Sequence, residues 1–383
     1  MELYELYYYL EFYNIHGYIT GYQIDDIWDM VNKRYSEINN IKLDKNVNKD
    51  KVYLWLKEKT RLLLLNELIS KIIFRLSNYE KIDDIDLNNM DTFFLNNISL
   101  ISYIVNEEED YILNNINRDI CKIPEMSKKE VTEIVSDILL EIDDNGEWLD
   151  IYKEAIKSKH IIYLNEISKT ELDRLKQGLG LVGLDDIENT CLFLGDKDRY
   201  LFLNYKGDIS DIILTIHEII HYINGCVDNG KEVAPIIREF PSIFYEMYSL
   251  KYIERQGFNQ TLIHTINYNR LLATYNAINE SSDIIDYLET YIGNGEIKDI
   301  YDYEKCDKCI SDLIEDPFVL FKRYPYIVGT YLARLAMDKL DDDKMLLPIM
   351  KYITENLSKS KIDDIFKLWG VNNKKIKKRE IVR

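Results

Sequence analysis

Apolar residues recur at intervals of three and four along most of the chain. In KVYLWLKEKTRLLLLNELISKIIFRL (51–76), SKKEVTEIVSDILLEI (127–142) and ESSDIIDYLETYIG (280–293) they share one face of a 3.6-residue period, which predicts amphipathic helices. The stretches between such segments are short and rich in Asn and Asp. With six prolines in 383 residues, no long linker and no internal repeat divides the chain. One region breaks the helical pattern. In TCLFLGDKDRYLFLNY (190–205) apolar clusters flank GDKD, which predicts two short strands, Cys191–Leu194 and Tyr200–Asn204, joined by a turn over Gly195–Asp198.

A lone hairpin needs a surface to pack on, and an apolar helix, DIILTIHEIIHYING (211–225), follows it. Asp208, after Gly207, is placed to cap that helix, and Asp211 puts an acid in its first turn, where the helix dipole favours negative charge. His217 and His221 sit four residues apart and therefore one turn apart on the same face, the geometry in which two imidazoles share one zinc ion. Glu218 lies beside them, placed to take a proton from an activated water. A pair of satisfied core histidines is the plainer reading of such a spacing. The chain has only five histidines in all, which favours the metal.

A catalytic zinc needs a third protein donor and an open fourth position. KEVAPIIREFPSIFYEMYSLKYIERQ (231–256) predicts a helix begun by Pro235, with Glu239 and Glu246 seven residues apart among Phe, Ile and Tyr. Pro241, between them, removes one backbone hydrogen bond and predicts a kink.

Composition narrows the function from the other side. The formal charge of −19 argues against a nucleic-acid partner, since phosphate binding needs clustered Lys and Arg. The one basic run, NNKKIKKRE (372–380), reads as a solvated tail. No apolar stretch is long enough for a membrane span, and MELYELYYYL (1–10) lacks the basic start and small-residue cleavage site of a signal peptide. A cytoplasmic protein with no membrane contact is expected. Five cysteines agree: Cys121, Cys191 and Cys226 are scattered, and Cys306 and Cys309 form a lone CxxC, half a zinc knuckle or a redox pair without a partner motif. Thirty tyrosines spread along the chain mark no single site by their presence, and nothing in the pattern selects an oligomeric state.

RYLFLNYKGDISDIILTIHEIIHYI (199–223) followed by EFPSIFYE (239–246) resembles the core of the oligoendopeptidase F and thimet oligopeptidase family of zinc peptidases. There a strand ending in an Asn-Tyr-x-Gly turn leads into the HExxH helix, and a Glu-x-Pro-Ser segment supplies the third ligand. The resemblance implies one zinc ion held by His217, His221 and Glu239, with Glu218 as general base and Glu246 orienting a ligating histidine. It implies an all-helical fold of two halves flanking a deep channel, residues 1–180 covering the cleft and 181–383 carrying the zinc chemistry, with the small hairpin beside the zinc helix. The substrate implied is a short peptide, paired to the strand Tyr200, Leu201, Phe202, Leu203 and Asn204 as an exposed edge. Near FKRYPYIVGTYLARLAM (321–337) it implies oxyanion-stabilising tyrosines, Tyr326 and Tyr331, with Tyr324 an alternative for Tyr326 and Phe321 at the family's histidine position. Ile220 departs from the family's usual glycine, and the N-terminal half is shorter than the family's.

The expected activity is therefore a zinc-dependent endopeptidase of short peptides, with general peptide turnover and maturation of one precursor both open. A carboxypeptidase on a related fold and a peptide-binding scaffold without turnover are the alternatives.

Overall fold

The computed structural model describes residues 98–116, 120–178, 190–194, 198–227, 235–288, 317–340, 345–360 and 362–371. The described chain is mainly helical: α1 (Ile98–Asn115), α2 (Lys128–Ile142), α3 (Glu147–Lys157), β1 (Ile161–Tyr163), α4 (Lys169–Gly178), β2 (Thr190–Leu194), β3 (Asp198–Leu203), α5 (Ser210–Val227), α6 (Pro235–Arg255), α7 (Gln260–Leu288), α8 (Pro317–Leu340), α9 (Leu346–Glu355) and α10 (Ile362–Leu368). The helix expected over 51–76 and the pair Cys306 and Cys309 lie outside the described residues.

α2 shows how local chemistry makes these elements. Ser127 and Glu130 form a reciprocal capping box at its start, and Val131, Val135, Ile138, Leu139 and Ile142 bury a single stripe. α5 is different, because its whole circumference is buried from Ile216 through Gly225. Ile212, Ile216, Ile219 and Ile223 have no exposed surface, and each such side chain contributes about 1.5–3 kcal/mol of burial. α5 packs along α6 and on the sheet, with α2, α3 and α9 around it, so it runs through the middle of the core. Trp148 of α3 is also fully buried; its indole N–H donates to Glu355 Oε1 at 2.9 Å and its ring meets Tyr245 edge-on at 5.4 Å.

The predicted hairpin is present but does not stand alone. β2 and β3 pair antiparallel, Cys191 opposite Leu201 and Leu194 opposite Asp198, but a third strand, β1, pairs parallel to the other side of β3, Ile161 opposite Leu201. The strand order is β1-β3-β2. The segment Tyr200–Leu203 is thus the central strand rather than an edge, and Asn204 lies beyond its end. Leu201, Phe202 and Leu203 are 0–2% exposed, as befits a strand paired on both sides. With both sets of backbone groups engaged, β3 has no free edge for a peptide.

The chain forms two compact units: Met1–Asn106 with Ala277–Tyr324 and Ile376–Arg383, and Glu107–Asn276 with Pro325–Lys375. The boundary expected at residue 180 lies within the second unit, where α2 and α3 pack on α5 and β1 pairs with β3. The features described below belong to that second unit, except where stated.

Candidate metal centre

The entry to α5 is organised by a buried acid. Asp211 is 1% exposed, and its carboxylate accepts backbone N–H groups from Lys206 (2.9 Å), Gly207 (2.8 Å) and Asp208 (3.0 Å). Gly207 sits at φ +82°, a conformation open to glycine, which lets the chain turn from β3 into the helix. Asp208 in turn accepts from the backbone N–H and hydroxyl of Ser210. The helix start is therefore set by the acid in the first turn together with Asp208.

About two and three turns further along α5, His217 and His221 bring their Nε2 atoms to 3.1 Å of each other. α6 crosses this face. It runs unbroken through Pro241 and presents Glu239, Ser242 and Glu246 at spacings of three and four residues. Glu239 Oε2 lies 3.4 Å from His217 Nε2 and 3.6 Å from His221 Nε2. Glu246 Oε1 lies 2.5 Å from His217 Nδ1. The carboxylate is an acceptor there, so it selects the tautomer with its proton on Nδ1 and leaves a lone pair on Nε2.

Among the described residues His217, His221 and Glu239 form a group whose donor atoms all lie within 4.8 Å of one another. The triangle of 3.1, 3.4 and 3.6 Å can be tested against an ion. Tetrahedral zinc at 2.0–2.2 Å from each donor would set the donors about 3.3–3.6 Å apart, so the residues fit. The donor chemistry agrees: lone pairs from two imidazoles and a carboxylate converge, with Glu218 and Glu246 adding negative charge. The His217 and His221 side chains are 11% and 8% exposed while Glu239 keeps 25%, so the triangle is more open on the Glu239 side.

The titrating groups feel this crowding. Burial alone would push the His217 imidazole down, yet the charge of Glu246, with Glu239 and Glu218, holds it well above the ordinary histidine value. Burial raises the Glu239 carboxyl, but His221 and His217 overcome it and hold the group well below the usual carboxylate range. Glu218 goes the other way: burial pushes it up against the pull of the two histidines. Its Oε2 is buried and has no hydrogen-bond partner.

Tyr326 of α8 stands with its ring 6.5 Å from that of His217, and the charge of Glu246, followed by burial, holds its phenol well above the ordinary value. Tyr331 is buried with its ring 5.3 Å from the Arg334 guanidinium. Tyr324 is buried too and belongs to the other compact unit. Tyr200 is half-buried with its ring 5.2 Å from His160.

Two further contacts shape the site. Ser242 Oγ lies 3.3 Å from His221 Nε2, and its place three residues after Glu239 on the same helix was the signal for it. Gly329 of α8 is the other: a Cβ there would meet Glu239 Cβ and Phe240 N at 3.3 Å and Ile243 Cδ1 at 3.0 Å. Glycine is what allows α8 to lie against α6 at the residue that completes the triangle.

No protein-family model matches the chain, and no curated protein matches it. Three solved structures align with it. A candidate oligoendopeptidase F of Bacillus anthracis str. Ames is 10% identical, with 84% of this chain and 59% of that one covered and a TM-score of 0.46. PZ peptidase A with an inhibitor is 9% identical, with 93% and 74% covered and a TM-score of 0.47. A candidate peptidase of Chlamydophila abortus is 14% identical, with 83% and 58% covered and a TM-score of 0.41. All three carry the name of a peptidase. This chain spans about three fifths of the length of the first and third. At such identities and scores, what the site does rests on this chain's own donor atoms.

Proposed function

We propose that this protein is a zinc-dependent endopeptidase acting on short peptides, with His217, His221 and Glu239 holding the metal and Glu218 as the general base. The observation that carries the reading is the fitting donor triangle with a buried, unpartnered carboxylate oxygen beside it, at Glu218 Oε2. Zinc bound there supplies Lewis-acid polarisation of a carbonyl and lowers the pKa of water. Glu218 takes the proton of the attacking water and returns it to the leaving amine as the C–N bond breaks. Glu246 holds His217 in one tautomer and orientation, and Ser242 lies against His221. The Tyr326 hydroxyl donates to the carbonyl oxygen as negative charge develops on it. Because the two histidines lie below the surface, an extended chain reaches them where a folded protein would not.

Metal analysis of the purified chain should find about one zinc per chain. Glu218→Gln should keep that zinc and lose about a hundred- to ten-thousandfold in hydrolysis of internally quenched peptides. Product masses should show internal cleavage. Glu218→Gln at parental turnover would overturn the assignment, and stepwise loss of C-terminal residues would make the enzyme a carboxypeptidase.

A further inference from the structure

The metal centre has a charged neighbour that the chemistry above does not use. Arg238 of α6 precedes Glu239 in sequence and is half-buried. It stands one turn before Ser242 on the same face of the helix, and Ser242 Oγ lies 3.3 Å from the Arg238 carbonyl oxygen and 3.3 Å from His221 Nε2. The Arg238 backbone is therefore two hydrogen-bond lengths from a donor of the triangle. Helical side chains lean back toward the N-terminus of their helix, so from there the guanidinium extends toward the start of α6, away from Glu246. That is the end of α6 that carries Glu239, on whose side the triangle is more open.

Arg199, Arg270 and Arg334, the other arginines withdrawn from solvent among the described residues, reach Cys226 Sγ at 3.7 Å, Asn267 Oδ1 at 3.1 Å and Glu108 Oε1 at 2.8 Å. Among the described residues the Arg238 side chain has neither a hydrogen bond nor an ion pair. Acids are not scarce: the chain carries 67 Asp and Glu against 48 Lys and Arg. Even the adjacent Glu239 is turned elsewhere, to His217 and His221 at 3.4 and 3.6 Å. A charge drawn part-way out of water without a counter-charge costs free energy. The planar fork of an arginine fits a carboxylate or a phosphate best, by two parallel N–H bonds, and of these a peptide brings the carboxylate.

We infer that Arg238 determines specificity: its guanidinium takes a carboxylate of the bound peptide, next to the bond that is cut. This rests on the peptidase reading above and names the class of peptide that site favours. A peptide carries such a group in two places, on the side chain of Asp or Glu and at the C-terminus, and both offer the same two oxygens.

Two sets of internally quenched peptides test it. One places Glu or Gln at each position in turn, and the other compares a C-terminal acid with a C-terminal amide. The parent should cleave the anionic member of one set with about tenfold higher kcat/KM, the size expected of one charge-assisted bond. Arg238→Gln should bring that ratio below about twofold. Arg238→Glu should reverse it, favouring Lys over Gln at the same place or the amide over the acid, which a merely structural role would not do. The set that responds identifies the source of the carboxylate. Ratios near one in the parent for both sets, or a preference that survives in Arg238→Gln, would overturn the inference. If Arg238→Gln does not fold, Arg238→Lys serves: a point charge without the fork should keep less than about half of the preference, and an undiminished preference overturns the inference. A binding measurement separates this from the peptidase reading. In zinc-loaded Glu218→Gln, fluorescence anisotropy should show a dye-labelled acidic peptide bound about tenfold more tightly than its neutral twin, and Arg238→Gln should erase the difference. That result for a chain whose parent cleaves no peptide upholds the Arg238 site and refutes the peptidase reading instead, whereas equal binding of the two peptides refutes the site.

Discussion

Replacing Gly329 with alanine probes the closest approach of two helices at the metal centre. The added Cβ would lie 3.3 Å from Glu239 Cβ and Phe240 N, and 3.0 Å from Ile243 Cδ1, a side chain with no exposed surface and so little room to yield. Ordinary contact needs a few tenths of an ångström more, so α6 and α8 must part by that amount. Overpacking of this kind costs about 1–3 kcal/mol, and alanine returns about 1 kcal/mol in helix propensity. The net loss is then about 0–2 kcal/mol, a fall in Tm of at most about 8 °C for a unit of this size. The metal should suffer more than the fold. Donor positions tolerate shifts of about 0.2 Å, so moving Glu239 off its place should weaken zinc about tenfold or more, as losses just outside a ligand shell do. Competition against a chromophoric chelator measures the affinity, and melts of the zinc-free and zinc-loaded chain separate it from stability. A variant that bound zinc within twofold of the parent and melted higher would refute the reasoning, because the helices would then yield freely at Glu239.

Other substitutions test the rest of the site. Glu246→Ala removes the acceptor at His217 Nδ1 and should weaken zinc by about ten- to a hundredfold, while Glu239→Ala should lose more; equal affinities in the two variants by the same chelator competition would contradict the ligand assignment. Tyr326→Phe should lower kcat about a hundredfold with KM unchanged, and Tyr331→Phe, whose ring lies on Arg334, should do less; steady-state kinetics with zinc bound decides, and parental kcat in both would leave oxyanion stabilisation to the metal and backbone. Asp211→Ala leaves three backbone N–H groups without their carboxylate and should cost about 3 kcal/mol, lowering Tm by about 6–12 °C in calorimetry; a loss under about 1 kcal/mol would show that water replaces the acid at the head of α5.

Much of this was legible because it is local. Ser127 to Glu130 and the apolar stripe behind them specify α2, and HEIIH places two imidazoles on one face of α5 whatever surrounds it. Glu239 and Glu246 were legible as two acids on an apolar helix. What eluded the sequence depends on partners far along the chain. β1 is three residues long, too short to alternate visibly, yet its pairing turns β3 from an edge into the centre of the sheet. Glu108 and Arg334 are 226 residues apart, and neither carries a local mark of the other. α6 stays helical through Pro241.

The second compact unit is not contiguous in sequence: Ala277–Tyr324, which belongs to the other unit, interrupts it. Closing over such an excursion adds little to the entropy cost of folding, since that cost grows only with the logarithm of length. Its effect is on timing. During synthesis the chain carries His217, His221 and Glu239 out of the ribosome well before Tyr326 and Gly329, so the metal donors exist while the wall beside them is still missing. On the reading proposed above, a ribosome stalled between the two segments would hold a chain able to bind zinc but without hydrolytic power until the last stretch docked.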